Sequence, residues 1–126
     1  MIALQKLAGM AALALAAPCW AHHSFAMFDM TKTVTLQGTV KQLQWTSPHC
    51  FVQVLVPTPN GTAEWSLEMN SPLIMYRKGW RPGSLRAGDA VTVVIAPTRD
   101  GAHGGLLLSA IDPAGKILTN MKRPGA

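Results

Sequence analysis

The sequence predicts an all-β domain: a small five-stranded Greek-key barrel, OB-like, with one short helix between strands 3 and 4. Three observations predict it. Apolar residues recur at every second position over much of the chain, Gly and Pro clusters separate the resulting segments, and one helix signal falls after the third segment. Three strands, a helix and two strands is the order of an OB barrel. A small open β-sandwich is the alternative.

Turn residues bound each predicted strand. The strands cover residues 33–43, 51–56, 63–69, 90–96 and 106–111, and a brief pairing is expected at 116–118. Gly38 lies inside the first strand and predicts a bulge or a sharp coil, as small barrels need. In the third strand, Trp65 and Leu67 are expected to face the core. Glu64 and Glu68 are expected to share the solvent-exposed face. The tail from Asn120 onward is expected to be frayed.

The only good helix signal covers residues 73–78. Asn70 or Ser71 serves as the N-cap, Pro72 occupies the first turn and Gly79 ends the helix. The helix is therefore predicted to have about two turns.

The first 21 residues have the pattern of a cleavable secretion signal. Lys6 supplies the positive region, residues 7–17 are an apolar stretch too short to span a bilayer, and a cut after Ala21 leaves small residues at the expected positions. A lipoprotein cut before Cys19 is the main variant, and Pro18 disfavours it. The sequence thus predicts a periplasmic or secreted protein with a single domain at residues 22–126 and no transmembrane segment after cleavage.

Removal of the first 21 of 126 residues leaves 105, enough for one modest core. Without Lys6, ten of the eleven bases remain against six acids, and they are scattered along the chain. This distribution indicates solubility and weak attraction to anionic surfaces, and it gives no reason to expect a nucleic-acid partner. Cys50 is the only cysteine left, so no internal disulfide is possible. Burial is the commonest state of such a thiol.

Two of the four histidines, His22 and His23, would stand at the mature N-terminus. A terminal His offers its α-amino group and its ring to one metal ion, and imidazole suits copper, with Cu(II) the strongest binder among the divalent ions. His49, in the turn between the first two strands, is the best further ligand, and His103 is the second. Copper is therefore the expected cofactor. Each histidine also has an explanation without a metal. His22 and His23 would then be an ordinary flexible terminus, His49 a turn residue bonded to its own backbone, and His103 a solvated loop residue.

Other side chains are weaker candidates for chemistry. Thioethers suit Cu(I), and Met27, close to the histidine pair, is an outside candidate together with Cys50. Glu64 and Glu68 have the spacing of an acid–base pair, although a solvated strand face is the favoured explanation. Three tryptophans would stack on sugars if a groove exposed them, or else pack in the core; they are Trp45, Trp65 and Trp80.

The stretch AHHSFAMFD (21–29) resembles the start of an uncharacterised family of small exported bacterial proteins, a domain of unknown function. The similarity extends over TLQGTVKQLQW (35–45), EWSLEMNSP (64–72), KGWRPGSLRAGDAVTV (78–93) and PTRDG (97–101). The family turn is usually Asn-Pro-His and is Ser-Pro-His here. The resemblance implies shared motifs at His22, His23, Ser24 and His49, and it implies no particular activity.

Three functions fit these observations. The first is a periplasmic copper-binding protein for metal handling or delivery, with His22, His23 and His49 as ligands. The second is a metal-free barrel that binds an envelope protein partner or an oligosaccharide. The third, an enzyme using copper at a terminal histidine, is least favoured because so small a barrel offers little substrate surface.

Overall fold

The computed structural model describes residues 25–122, and within them every predicted strand and the predicted helix is present. Their ends differ from the predicted ones by at most two residues. The elements are a 3-10 turn at Phe25–Met27, β1 Val34–Gln44, β2 Phe51–Thr58, β3 Gly61–Glu68, helix α1 Pro72–Arg77, β4 Ala90–Pro97, β5 Gly104–Ile111 and β6 Ile117–Thr119.

The strands form one sheet in the order β3-β2-β1-β4-β5-β6. All neighbours are antiparallel except that the start of β5 pairs in parallel with the end of β3, from Ser66–Gly104 to Glu68–Leu106. This pairing closes five strands into a barrel, and β6 extends the sheet from the end of β5. The closed barrel with one helix between β3 and β4 confirms the predicted OB-like fold over the open sandwich.

β1 pairs with β4 along its first half and with β2 along its second half, and Thr39 pairs with both. Gly38 lies immediately before this change of partner. A Cβ atom at Gly38 would overlap the carbonyl oxygen of Leu55, so the glycine permits two backbones to approach closely. The bulge itself falls two residues later, between Val40 and Gln42. The predicted irregularity of β1 is therefore present as a bulge two residues after Gly38, and Gly38 itself lies where β1 and β2 approach closely.

We expect Gly38→Ala to lower the free energy of unfolding by about 2 kcal/mol, because the methyl group forces backbone shifts in a packed region. Gly83→Ala is the matched control, since its Cβ would meet only the Arg86 side chain, at 3.8 Å. Urea unfolding followed by tryptophan fluorescence measures both. Equal stability of the two variants would show that the close approach at Gly38 relaxes without cost.

The main core fills the barrel with side chains from all five strands. Met75 of α1 and the following Trp80 are completely buried in it, and the Trp80 Nε1–H donates to the Thr119 carbonyl oxygen at 3.0 Å. Trp65 packs against the same cluster, as its inward position predicts. Cys50 also lies in this core, which confirms the expected burial of its thiol.

The frayed tail predicted from Asn120 is wrong at Asn120 itself, which is 0% exposed. Its side-chain Oδ1 accepts hydrogen bonds from the Asn70 backbone N at 3.1 Å and from the Asn70 side-chain Nδ2 at 2.9 Å. Its Nδ2 donates to the Leu107 carbonyl oxygen at 2.7 Å. The polar residue therefore joins the chain after β6 to the connection between β3 and α1 and to β5, and burial without these partners would be costly.

Candidate metal centre

Two of the three predicted ligands, His22 and His23, lie outside the described residues, as does the predicted secretion signal. The structure describes the chain from Phe25 onward. It therefore includes the segment that follows the two histidines, the surface against which this segment packs, His49 and the other candidate side chains.

The segment that follows the predicted ligands is attached to the connection between β4 and β5. The Asp29 backbone N donates to the Pro97 carbonyl oxygen at 2.8 Å, and the Arg99 N donates to the Met27 carbonyl oxygen at 2.9 Å. Phe28, between them, is buried in a small second cluster with residues of β4 and β5. No sequence periodicity marks this segment, because its fixed position comes from one buried ring and from hydrogen bonds of its backbone.

His49 ends a tight turn between β1 and β2. The turn contains a cis Ser47–Pro48 peptide bond, and the Thr46 hydroxyl donates to the His49 carbonyl oxygen at 2.7 Å. Beyond it the chain continues the β2–β3 ladder, since the Cys50 N donates to the Asn70 carbonyl oxygen at 3.0 Å. This pairing places His49 beside the residues that follow β3.

The His49 ring is oriented through its Nδ1 atom. Nδ1 lies 3.0 Å from the Met69 carbonyl oxygen and 3.5 Å from Glu68 Oε1. A carbonyl oxygen only accepts hydrogen bonds, so Nδ1 carries the proton in this contact. In the neutral ring the lone pair then belongs to Nε2. An imidazole that donates from one nitrogen to a carbonyl or carboxylate and binds metal through the other is the common arrangement in metalloproteins.

His49 borders a small cavity of about 40 Å³ at this end of the barrel. The cavity has room for a water molecule or a metal ion, whereas pockets for organic ligands have roughly 300 Å³ or more. It is lined by Phe25, Met27, Phe28, His49, Glu68, Met69, Asn70 and Leu106. The start of the described chain and the His49 turn thus meet at one site.

Glu68 is a member of this site that sequence reasoning did not assign to it. Its side chain is only 13% exposed, whereas Glu64 forms an exposed ion pair with Lys41 at 2.7 Å. The two carboxylates therefore have separate partners, and they do not act as an acid–base pair. The register of the β2–β3 hairpin pairs Phe51 with Glu68. Counting back from the turn at 57–61 would have placed Glu68 close to His49.

Met27 and Cys50, the weaker candidates for metal ligands, lie in different environments. Met27 lines the cavity, and its side chain is mostly exposed. Cys50, although next to His49 in sequence, lies in the barrel core, and burial raises the pKa of its thiol. A raised pKa disfavours the thiolate that a metal ion would bind. Cys50 therefore has the environment of a core residue.

His103 is not one of the residues that line the cavity with His49. Its ring stacks at a tilt on Trp65, with 5.0 Å between the ring centroids, and its carbonyl oxygen accepts a hydrogen bond from the Ser66 N at 3.1 Å. Residues 25–122 contain no group of three or more His, Cys, Asp or Glu side chains able to hold a metal ion. The described residues thus bring one imidazole and one carboxylate together at the cavity.

The fold and the site define a small OB-like barrel protein with a histidine-bearing turn beside its N-terminal segment. Residues 10–109 match the family of unknown function DUF6152, and the chain belongs to this family. The mitochondrial single-stranded DNA binding protein Rim1 from S. cerevisiae is a similar solved structure. It has 15% sequence identity and a TM-score of 0.44, with 71% of this chain and 96% of that chain covered. No curated protein matches significantly. Among the described residues, no helix is long and apolar enough to cross a bilayer.

Proposed function

We propose that this protein is exported, loses its first 21 residues, and then binds one copper ion in the periplasm or outside the cell for metal handling or delivery. The ligands are the α-amino group and ring of His22, the ring of His23 and the ring of His49. Cu(II) is the metal that such a nitrogen-rich set favours among the divalent ions.

The observation that carries the proposal is the meeting of Phe25 and His49 at one cavity. His22 precedes Phe25 by three residues, so covalent geometry keeps its Cα within about 11 Å of the Phe25 Cα. His23 has a limit of about 7 Å for the same reason. A cut after Ala21 would therefore release an amine close to His49, and chelation depends on that amine.

The orientation of His49 gives further support. Its Nδ1 faces the Met69 carbonyl oxygen and the Glu68 carboxylate, which leaves Nε2 as the nitrogen with a lone pair in the neutral ring. A carbonyl or carboxylate oxygen at Nδ1 fixes the orientation of the ring, so that Nε2 is the nitrogen that would bind a metal ion. The small cavity volume also suits an ion better than an organic substrate.

The proposal includes no nucleic acid and no oligosaccharide. Glu64 is exposed on the outward face of β3, where a carboxylate would repel a phosphate backbone. Trp80 is buried, and Trp45 and Trp65 pack against the core. These positions give little support to a row of exposed rings on which sugars would stack.

The proposal is tested by titrating Cu(II) into two purified forms. One form begins at His22 with a free α-amino group, and the other is the same chain with that group acetylated. We expect the first form alone to bind one copper tightly, with several nitrogen ligands in its electron paramagnetic resonance spectrum, because acetylation converts the His22 amine into an amide. Calorimetry gives the affinity of each.

Equal and weak binding by the two forms would contradict the terminal site. Tight binding by both forms would also contradict it, since the ligands would then lie elsewhere in the chain. Mass spectrometry of the protein recovered from the periplasm of an expression host tests the cut itself, which we expect after Ala21.

A further inference from the structure

Helix α1 presents an apolar surface that no described residue covers. Leu73, Ile74 and Tyr76 are 58%, 40% and 56% exposed, whereas Met75, between them, is completely buried. The helix has only six residues, so Met75 is sufficient to attach it to the barrel. The other large apolar side chains of the helix are exposed and adjacent, and contiguous exposed apolar side chains mark sites that contact a partner or a membrane.

The same segment is the most basic part of the predicted mature chain. Residues 70–88 contain four bases and no acid, although the protein has six acids elsewhere. The bases are Arg77, Lys78, Arg81 and Arg86. All four are exposed, so their charges act on whatever approaches the exposed face of α1.

Arg81 contacts Tyr76 and thereby connects the basic and the apolar parts of this surface. Its guanidinium carbon lies 3.7 Å from the centroid of the Tyr76 ring, and its Nη1 donates to the Tyr76 carbonyl oxygen at 3.0 Å. The result is an amphipathic ring that has a guanidinium group on its face and belongs to the same short helix as the exposed Leu73 and Ile74. Residues of this kind anchor proteins at the boundary between lipid headgroups and acyl chains.

We propose that helix α1 and the loop after it, residues 70–88, dock on the surface of a bilayer that contains anionic phospholipid. The Arg and Lys side chains contact the headgroup phosphates, while Leu73, Ile74 and Tyr76 enter the interface. An acidic protein surface would be attracted by the basic side chains alone. The exposed apolar side chains favour a bilayer as the partner, because they can enter its interface. The inference does not depend on copper, because the surface shares no residue with the proposed ligands.

The test is sedimentation with vesicles of phosphatidylglycerol and phosphatidylcholine, using the chain that begins at His22, which contains the whole described fold. We expect binding that increases with the phosphatidylglycerol fraction and falls as salt is raised, because screening shortens the range of surface charges. The double variant Arg77→Gln/Lys78→Gln should bind about 25-fold more weakly, at roughly fivefold for each base. Leu73→Asn/Tyr76→Asn should lose at least about tenfold through reduced apolar burial.

Two variants elsewhere on the surface are matched controls. Lys116→Gln removes an exposed base, and Ile117→Asn removes an apolar side chain that is 66% exposed; both should bind like the wild type. Equal losses in the controls, salt-independent binding of the wild type, or equal binding to pure phosphatidylcholine would overturn the proposal. Binding to polyglutamate without binding to vesicles would indicate an acidic protein partner in place of the bilayer.

Discussion

Replacing His49 with Ala is expected to lower the Cu(II) affinity of the chain that begins at His22 by at least about 100-fold. Loss of a group that merely orients a metal ligand costs roughly 10- to 100-fold, and loss of a ligand costs more. The number of nitrogen ligands in the electron paramagnetic resonance spectrum should fall by one. Calorimetric titration at one fixed pH measures the affinity.

His103→Ala is the matched control, because it also removes an imidazole but from a ring that stacks on Trp65 away from the cavity. It should bind copper like the wild type. Glu68→Gln keeps the shape of the neighbouring side chain and removes its charge, so it should weaken binding by about tenfold without changing the number of nitrogen ligands. Equal losses in His49→Ala and His103→Ala would show that neither ring is a specific ligand.

Replacing Asn120 with Ala is expected to lower the free energy of unfolding by about 2 to 4 kcal/mol. The change removes three side-chain hydrogen bonds in the core. The Asn70 backbone N–H loses the side-chain oxygen that it donates to, and the Asn70 Nδ2 keeps only a 3.5 Å contact with the backbone carbonyl oxygen of residue 120. Each buried polar group that loses its hydrogen-bond partner costs roughly 1 to 3 kcal/mol. Urea unfolding followed by circular dichroism measures the loss.

Asn60→Ala is the control for this change, because Asn60 lies in the exposed turn between β2 and β3. It should alter stability by less than about 0.5 kcal/mol. The buried Cys50 thiol gives a second readout, since alkylation should be slow in the native protein and faster in Asn120→Ala. A variant as stable as Asn60→Ala would mean that the Asn70–Asn120 contact contributes nothing to folding.

The sequence was sufficient to predict the barrel. Residues of β1, β2 and β3 alternate between a more exposed and a more buried face over much of their length, and the almost continuously buried β4 and β5 are apolar runs bounded by turn residues. Trp65 and Leu67 of β3 face inward as this period requires. The helix was also predictable, since Ser71, Pro72 and Gly79 are local signals for its ends. Asn120 was not predictable in this way. A polar residue near the end of the chain has the pattern of a frayed tail, and only its distant partner Asn70 explains its burial.

The candidate site was predictable in part. The chemistry of His49 can be read from the sequence. The position of Glu68 beside it also follows from the sequence once the β2–β3 register is counted back from the hairpin turn. The position of Phe25 does not, because residues 25–29 are attached to the chain at the end of β4. That attachment joins segments far apart in sequence, and periodicity contains no information on it.

The attachment of the N-terminal segment has a consequence for the order in which the protein is assembled. Arg99 Nε donates to the Ala26 carbonyl oxygen at 3.0 Å, across 73 positions of the chain. If the chain is exported as proposed, the first mature residues to leave a translocation channel would acquire their place only after β4 and the residues that follow it have emerged and folded. A partly translocated chain would then have no assembled site, and under the proposed function copper would be taken up by the finished barrel and would not serve as a nucleus for its folding.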